Sequence, residues 1–68
     1  MEPNWVKLMT TGEPHRAEVI RGMLEEHNIR CVVINKRDSA YTIFGEIEIY
    51  TPKDQVVLAV HLIKKGLE

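Results

Sequence analysis

The sequence predicts an α+β fold in the order β-α-β-β-α, and three observations carry that prediction. Glu46-Ile47-Glu48-Ile49-Tyr50 alternates between charged and aliphatic residues, the two-residue period of a strand with one buried and one bare face. Ala17, Ile20, Met23 and Leu24 recur at three- and four-residue spacing, which marks an amphipathic helix, and the same spacing returns at Val56, Ala59, Val60 and Ile63. A strand covered on one side only belongs in an antiparallel sheet, so the helices should lie over Ile47 and Ile49 and leave Glu46 and Glu48 on the open side.

Taken in order, Trp5 to Thr10 reads as the first strand, with Val6 and Leu8 on one face and Trp5, Lys7 and Met9 on the other. Thr-Thr-Gly-Glu is turn chemistry, and Pro14 fixes φ where a first helical residue wants it. The helix should run from Pro14 to about His27, with Arg16, Glu18, Arg21, Glu25 and Glu26 mostly outside. Asn28 suits the left-handed residue just past a helix end, which would fold Ile29 back onto Leu24. Ile29 to Lys36 is rich in β-branched residues and reads as the second strand, with Ile29, Cys31 and Val33 inward and Arg30, Val32, Ile34 and Lys36 outward. Arg37 to Gly45 is a loop, polar at first but apolar at Tyr41, Ile43 and Phe44. After the third strand, Thr51-Pro52-Lys53-Asp54 supplies an N-cap, a first-turn proline and a carboxylate. The second helix should bury Val56, Ala59, Val60 and Ile63, widened by Leu58 and Leu62, and end at Gly66 after Lys64 and Lys65.

A right-handed β-α-β crossover with a third strand between its two strands gives the spatial order 1-3-2 with both helices on one face. This is a ferredoxin-like split βαβ unit without the fourth strand that would cover the first, so Trp5 to Thr10 is left as an open edge.

A chain of 68 residues is a single domain, 1–68, that buries only about 60% of the surface its unfolded form exposes. Cys31 is the one cysteine, so no internal disulfide can compensate, and a partner subunit becomes the expected remedy. The net charge of -1 leaves no footprint for a phosphate backbone, which argues against nucleic acid. The longest apolar run, Val56 to Val60, is far short of the roughly 20 residues a membrane span needs, and Met1-Glu2-Pro3-Asn4 lacks the basic start of a secretory signal. A cytoplasmic protein that does not meet a membrane is the expectation.

No stretch spells out a reaction. On the open sheet face Glu46 and Glu48 should sit between Lys7 on one neighbour and Arg30 or Lys36 on the other, either as a polar binding platform or as a solvated charge ladder that adds little to stability. Carboxylates flanked by cations stay ionised, so neither Glu46 nor Glu48 is a ready general acid. His15, His27 and His61 have no metal-ligand spacing with one another or with Cys31, and Cys31 sits mid-strand as a small inert hydrophobe. No metal or other cofactor is expected. The apolar residues outside the core are more telling. Trp5, Met9 and Tyr50 leave apolar area on the open face together with Val32 and Ile34, and the loop adds Tyr41, Ile43 and Phe44. Stacking of RNA bases on this face is opposed by Glu46 and Glu48.

The stretches Trp5-Val6-Lys7-Leu8, Glu13 to Ile20, Leu24 to Ile29 and Phe44 to Tyr50 together resemble the bacterial family of putative prokaryotic signal-transducing proteins, and the resemblance spans nearly the whole chain. It implies a fold like that of the PII nitrogen-regulatory proteins, whose functional loop lies between the second and third strands, here Arg37 to Gly45. That loop is far shorter than in PII proteins and has no nucleotide-binding signature, so no nucleotide is implied. The sequence therefore points to a small cytosolic regulatory or interaction module that is not an enzyme, forms a homodimer and meets a protein partner. The alternative is a module that holds a small ligand or metal at a subunit interface.

Overall fold

The computed structural model describes residues 4–36 and 46–66. Strand β1 (Trp5–Thr11) is followed by helix α1 (Pro14–Glu26), strand β2 (Val32–Asn35), strand β3 (Ile47–Pro52), a short 3-10 turn (Lys53–Gln55) and helix α2 (Val56–Gly66). The sheet order is β1-β3-β2, with β3 antiparallel to both neighbours. This is the expected α+β arrangement with β3 in the middle.

The alternation of β3 sets the two faces. Ile47 and Ile49 are buried with Ala17, Ile20 and Leu24 of α1, Ala59 of α2, and Ile29, so both helices share one core on one side of the sheet. A slip of one residue in β3 would put two carboxylates into that core, which fixes the register. Val33 pairs with Ile49 and packs against the core, while Val32 and Ile34 pair with Tyr50 and Glu48 on the open face.

The end of α1 is held as its sequence suggests. Asn28 has φ 60, the Ile29 N–H donates to the Leu24 carbonyl at 2.9 Å, and the Asn28 N–H donates to the Glu25 carbonyl at 3.0 Å. This is a Schellman motif, and it packs Ile29 against Leu24. Pro14 opens the helix, and the Ala17 N–H reaches back to the Glu13 carbonyl.

Three local expectations are corrected. In β1 the pairing with β3 shifts between Lys7 and Met9, so Leu8 is the extra residue of a β-bulge. Lys7 lies opposite Tyr50 on the open face, but beyond the bulge Met9 lies opposite Ile49 and packs against the core, as does Leu8. Met9 therefore leaves the set of open-face residues. Second, Thr51 is not a helix cap. It belongs to β3, is fully buried, and donates its hydroxyl to the Arg30 carbonyl at 2.7 Å. Third, a 3-10 turn precedes α2, and its tighter winding changes the rotational phase in which the helix starts. Ala59, Leu62 and Ile63 face the core, whereas Val57, Leu58 and Val60 are 81%, 50% and 38% exposed.

The second strand is also shorter than Ile29–Lys36. Residues before it bond to a side chain instead of a strand: Gln55 accepts from the Arg30 N–H at 3.0 Å and donates to the Asn28 carbonyl at 3.2 Å.

Candidate functional site

The open face of the sheet is built in rows. Trp5 and Pro52 form one, Lys7, Tyr50 and Val32 the next, and Thr10, Glu48 and Ile34 the third. Lys36 closes the far end, where its N–H donates to the Glu46 carbonyl at 2.9 Å.

Glu48 is the centre of this face, and it is not a solvated rung. It is 7% exposed because side chains from all three strands close over it. Tyr50 donates its phenolic O–H to Oε1 at 2.9 Å, the Lys7 ammonium lies 3.3 Å from Oε2, and the Lys36 ammonium lies 3.3 Å from Oε1. The Tyr50 hydrogen bond, joined by Lys7 and Lys36, holds the Glu48 carboxyl below its ordinary value against the opposing effect of burial. Such a group stays an anion and its lone pairs are occupied, so it serves poorly as a general acid or base. It pins three strands to one point.

Arg30 does not join this cluster. Its guanidinium lies over the Trp5 ring, 5.3 Å from the centroid, a cation–π stack that crosses the sheet at the Pro52 end. Trp5 is half-buried, and its Nε1–H is enclosed with no acceptor among the described residues. An open cleft of about 600 Å³ lies alongside, lined by Trp5, Glu25, Ile29, Arg30, Cys31 and Val32 among others. Burial, followed by the nearby Glu25 carboxylate, pushes the Cys31 thiol up, so the cleft holds a thiol that is slow to ionise and not an activated nucleophile.

The structure thus brings together Lys7, Lys36, Glu48 and Tyr50, and separately Trp5 with Arg30. Glu46 contributes its backbone at the edge of the face. Tyr41, Ile43 and Phe44 lie outside the described residues. Among the described residues no cluster of three His, Cys, Asp or Glu side chains is placed to hold a metal. His27 uses its Nδ1–H on the Met23 carbonyl, 2.9 Å away. Among the described residues no helix is long and apolar enough to cross a membrane. Gln55 and Thr51 were not legible as tethers, since both act on backbone brought near only by the fold.

Fold and site together define a small α+β module with an ion-pinned open sheet face. The chain belongs to the family described as putative prokaryotic signal transducing protein, whose family model matches residues 5–66. No curated protein and no solved structure matches it. The family description fits a regulatory module.

Proposed function

We propose that the protein is a non-catalytic cytosolic regulatory module that works by binding another protein and that self-associates as a homodimer through the β1 edge and the adjoining open face. The observation that carries this reading is the position of β1. It is a seven-residue strand at the edge of the sheet, with Lys7 as its one charged residue, so its outward N–H and C=O groups suit pairing with another strand. Pairing two such edges across a two-fold axis satisfies both sets of backbone groups and covers Trp5. Met9 takes no part, being turned to the core. A small core with no disulfide adds to the benefit of a partner.

Sedimentation equilibrium on the wild type and on Trp5→Lys tests this. The wild type is expected to dimerise and the variant to dissociate. A wild type that stays monomeric at hundreds of micromolar refutes the reading, and an undiminished dimer in the variant moves the contact elsewhere.

A second reading is favoured by the cleft beside Arg30 and Trp5, where the Arg30 guanidinium has no carboxylate partner among the described residues. It would take a small anionic ligand. Melting-temperature shifts against nucleotides, 2-oxo acids and divalent metals separate the two readings.

A further inference from the structure

Which residues of β1 turn their backbone groups to the outer edge is set by the ladder that β1 makes with β3. The Lys53 N–H donates to the Asn4 carbonyl at 2.8 Å, and the Lys36 N–H donates to the Glu46 carbonyl at 2.9 Å. In an antiparallel ladder hydrogen-bonded and non-hydrogen-bonded pairs alternate, so odd-numbered residues of β3 bond to β1 and even-numbered ones to β2. The two contacts agree on that parity. Val6 therefore bonds inward to Thr51, whereas Trp5 and Lys7, opposite Pro52 and Tyr50, turn their N–H and C=O groups away from β3. Beyond the bulge, Met9 and Thr11 lie opposite Ile49 and Ile47 and bond inward, which leaves Thr10 facing out. Among the described residues no strand covers this side of β1.

We infer that β1 pairs antiparallel with β1 of a second copy about a two-fold axis at Val6. The inference rests on the self-association proposed above and fixes its register. Each copy sets Trp5 opposite the partner's Lys7 and Lys7 opposite the partner's Trp5, and both pairs exchange their outward backbone hydrogen bonds. Val6 meets the partner's Val6 as a non-hydrogen-bonded pair, the kind in which side chains come closest and β-branched residues pack well. On the open face the Trp5 ring lies against the aliphatic stem of the partner's Lys7, whose ammonium stays 3.3 Å from its own Glu48. The neighbouring registers are worse. Shifts of one residue within Trp5 to Lys7 set an outward residue against an inward one. An axis at Trp5 puts Lys7 against Pro3, which has no N–H to give. An axis at Lys7 places two lysines directly opposite each other and sets Trp5 against Met9, whose backbone groups already serve β3. Registers that pair Trp5 or Lys7 with Thr10 run across the bulge in both copies.

A cysteine scan reads the axis directly, because only a residue that faces its own copy comes within disulfide range. Trp5→Cys, Val6→Cys and Lys7→Cys, each combined with Cys31→Ala, are incubated with oxidised glutathione, and sedimentation equilibrium is run on the wild type and on the reduced variants. In the inferred register the two Val6 Cα atoms are about 4.5 Å apart, which a disulfide spans. Trp5 and Lys7 face their own copies only diagonally, at about 7–8 Å, too far to bridge. Val6→Cys is expected to become a covalent dimer about tenfold faster than either neighbour. Fastest crosslinking at Trp5→Cys or Lys7→Cys overturns the axis while sparing the edge pairing. A Val6→Cys variant that dimerises without crosslinking overturns the pairing of β1 with its copy. If that variant fails to dimerise, amide hydrogen exchange on the wild type decides: protection at Trp5 and Lys7 that rises with protein concentration supports the register, and protection that rises only elsewhere overturns it. A monomeric wild type removes self-association itself.

Discussion

Ile49→Ala is the sharpest test of the core. Ile49 is fully buried in the middle of β3, with Met9 opposite on one neighbour and Val33 on the other; the valine is stiff, so of these two only Met9 can move toward the vacated space. Each methylene-sized group taken out of the core costs about 0.8 kcal/mol in transfer, and the cavity left behind raises the total for this truncation to about 3–4 kcal/mol. At about 0.05–0.15 kcal/mol per residue, a domain of this length has only roughly 3–10 kcal/mol in all. The variant should therefore lie at or near the edge of unfolding. Urea denaturation followed by far-ultraviolet circular dichroism measures the loss. If Ile49→Ala proves too unstable to fit, Ile49→Val provides a graded reading at about 1 kcal/mol. A loss below about 1 kcal/mol for the alanine variant, or one no larger than that of Val57→Ala on the exposed face of α2, would refute the placement of the core.

Two further outcomes are expected. The folded-state pKa of Glu48 is depressed, so the unfolded chain binds its proton first; stability should be fully present above the ordinary carboxylate value of 4.5 and fall as pH drops through the lower, folded value. Glu18 is depressed in the same direction by Arg21, so the comparison is between Glu48→Gln and Glu18→Gln in chemical denaturation from pH 6 to pH 3, and an acid slope that Glu48→Gln leaves intact would contradict the Glu48 cluster. At Asn28, with φ 60, glycine should be tolerated or slightly stabilising, whereas Asn28→Ala should cost about 1 kcal/mol because a Cβ disfavours the left-handed conformation. Equal midpoints for the glycine and alanine variants would argue against the Schellman geometry.

Much of the architecture was legible because it is written in local periods. The Glu-Ile-Glu-Ile alternation named the central strand and its faces, and the β-α-β-β-α order with one crossover rule gave the sheet order. The ending of α1 at Asn28 and Ile29 could likewise be read from residue type and spacing alone. What was not legible depends on pairs of distant segments. The Leu8 bulge exists only in relation to β3 and leaves no mark in Trp5 to Thr11. The phase of α2 depends on a 3-10 turn where the residues spell an ordinary capped start, so Val60 and Leu58 emerge on the surface. The closing of Lys7, Lys36 and Tyr50 over Glu48 needs three strands in register, and what looked like a ladder of separate exposed pairs is a single anion under three donors. The stacking of Arg30 on Trp5, in place of an ion pair, is equally a product of two sheet edges meeting across Pro52.

The bulge at Leu8 bears on how far an assembly built on this sheet can grow. An unbroken flat edge is a template: whatever pairs with it can be paired in turn, and the sheet extends without limit. Here the extra residue splits β1 into Trp5–Lys7 and Met9–Thr11, two stretches of about 10 Å each, twisted relative to one another. The opposite edge, β2, is four residues long. Neither edge offers a long straight rail, so strand pairing at β1 favours a closed, countable complex over an open-ended fibre.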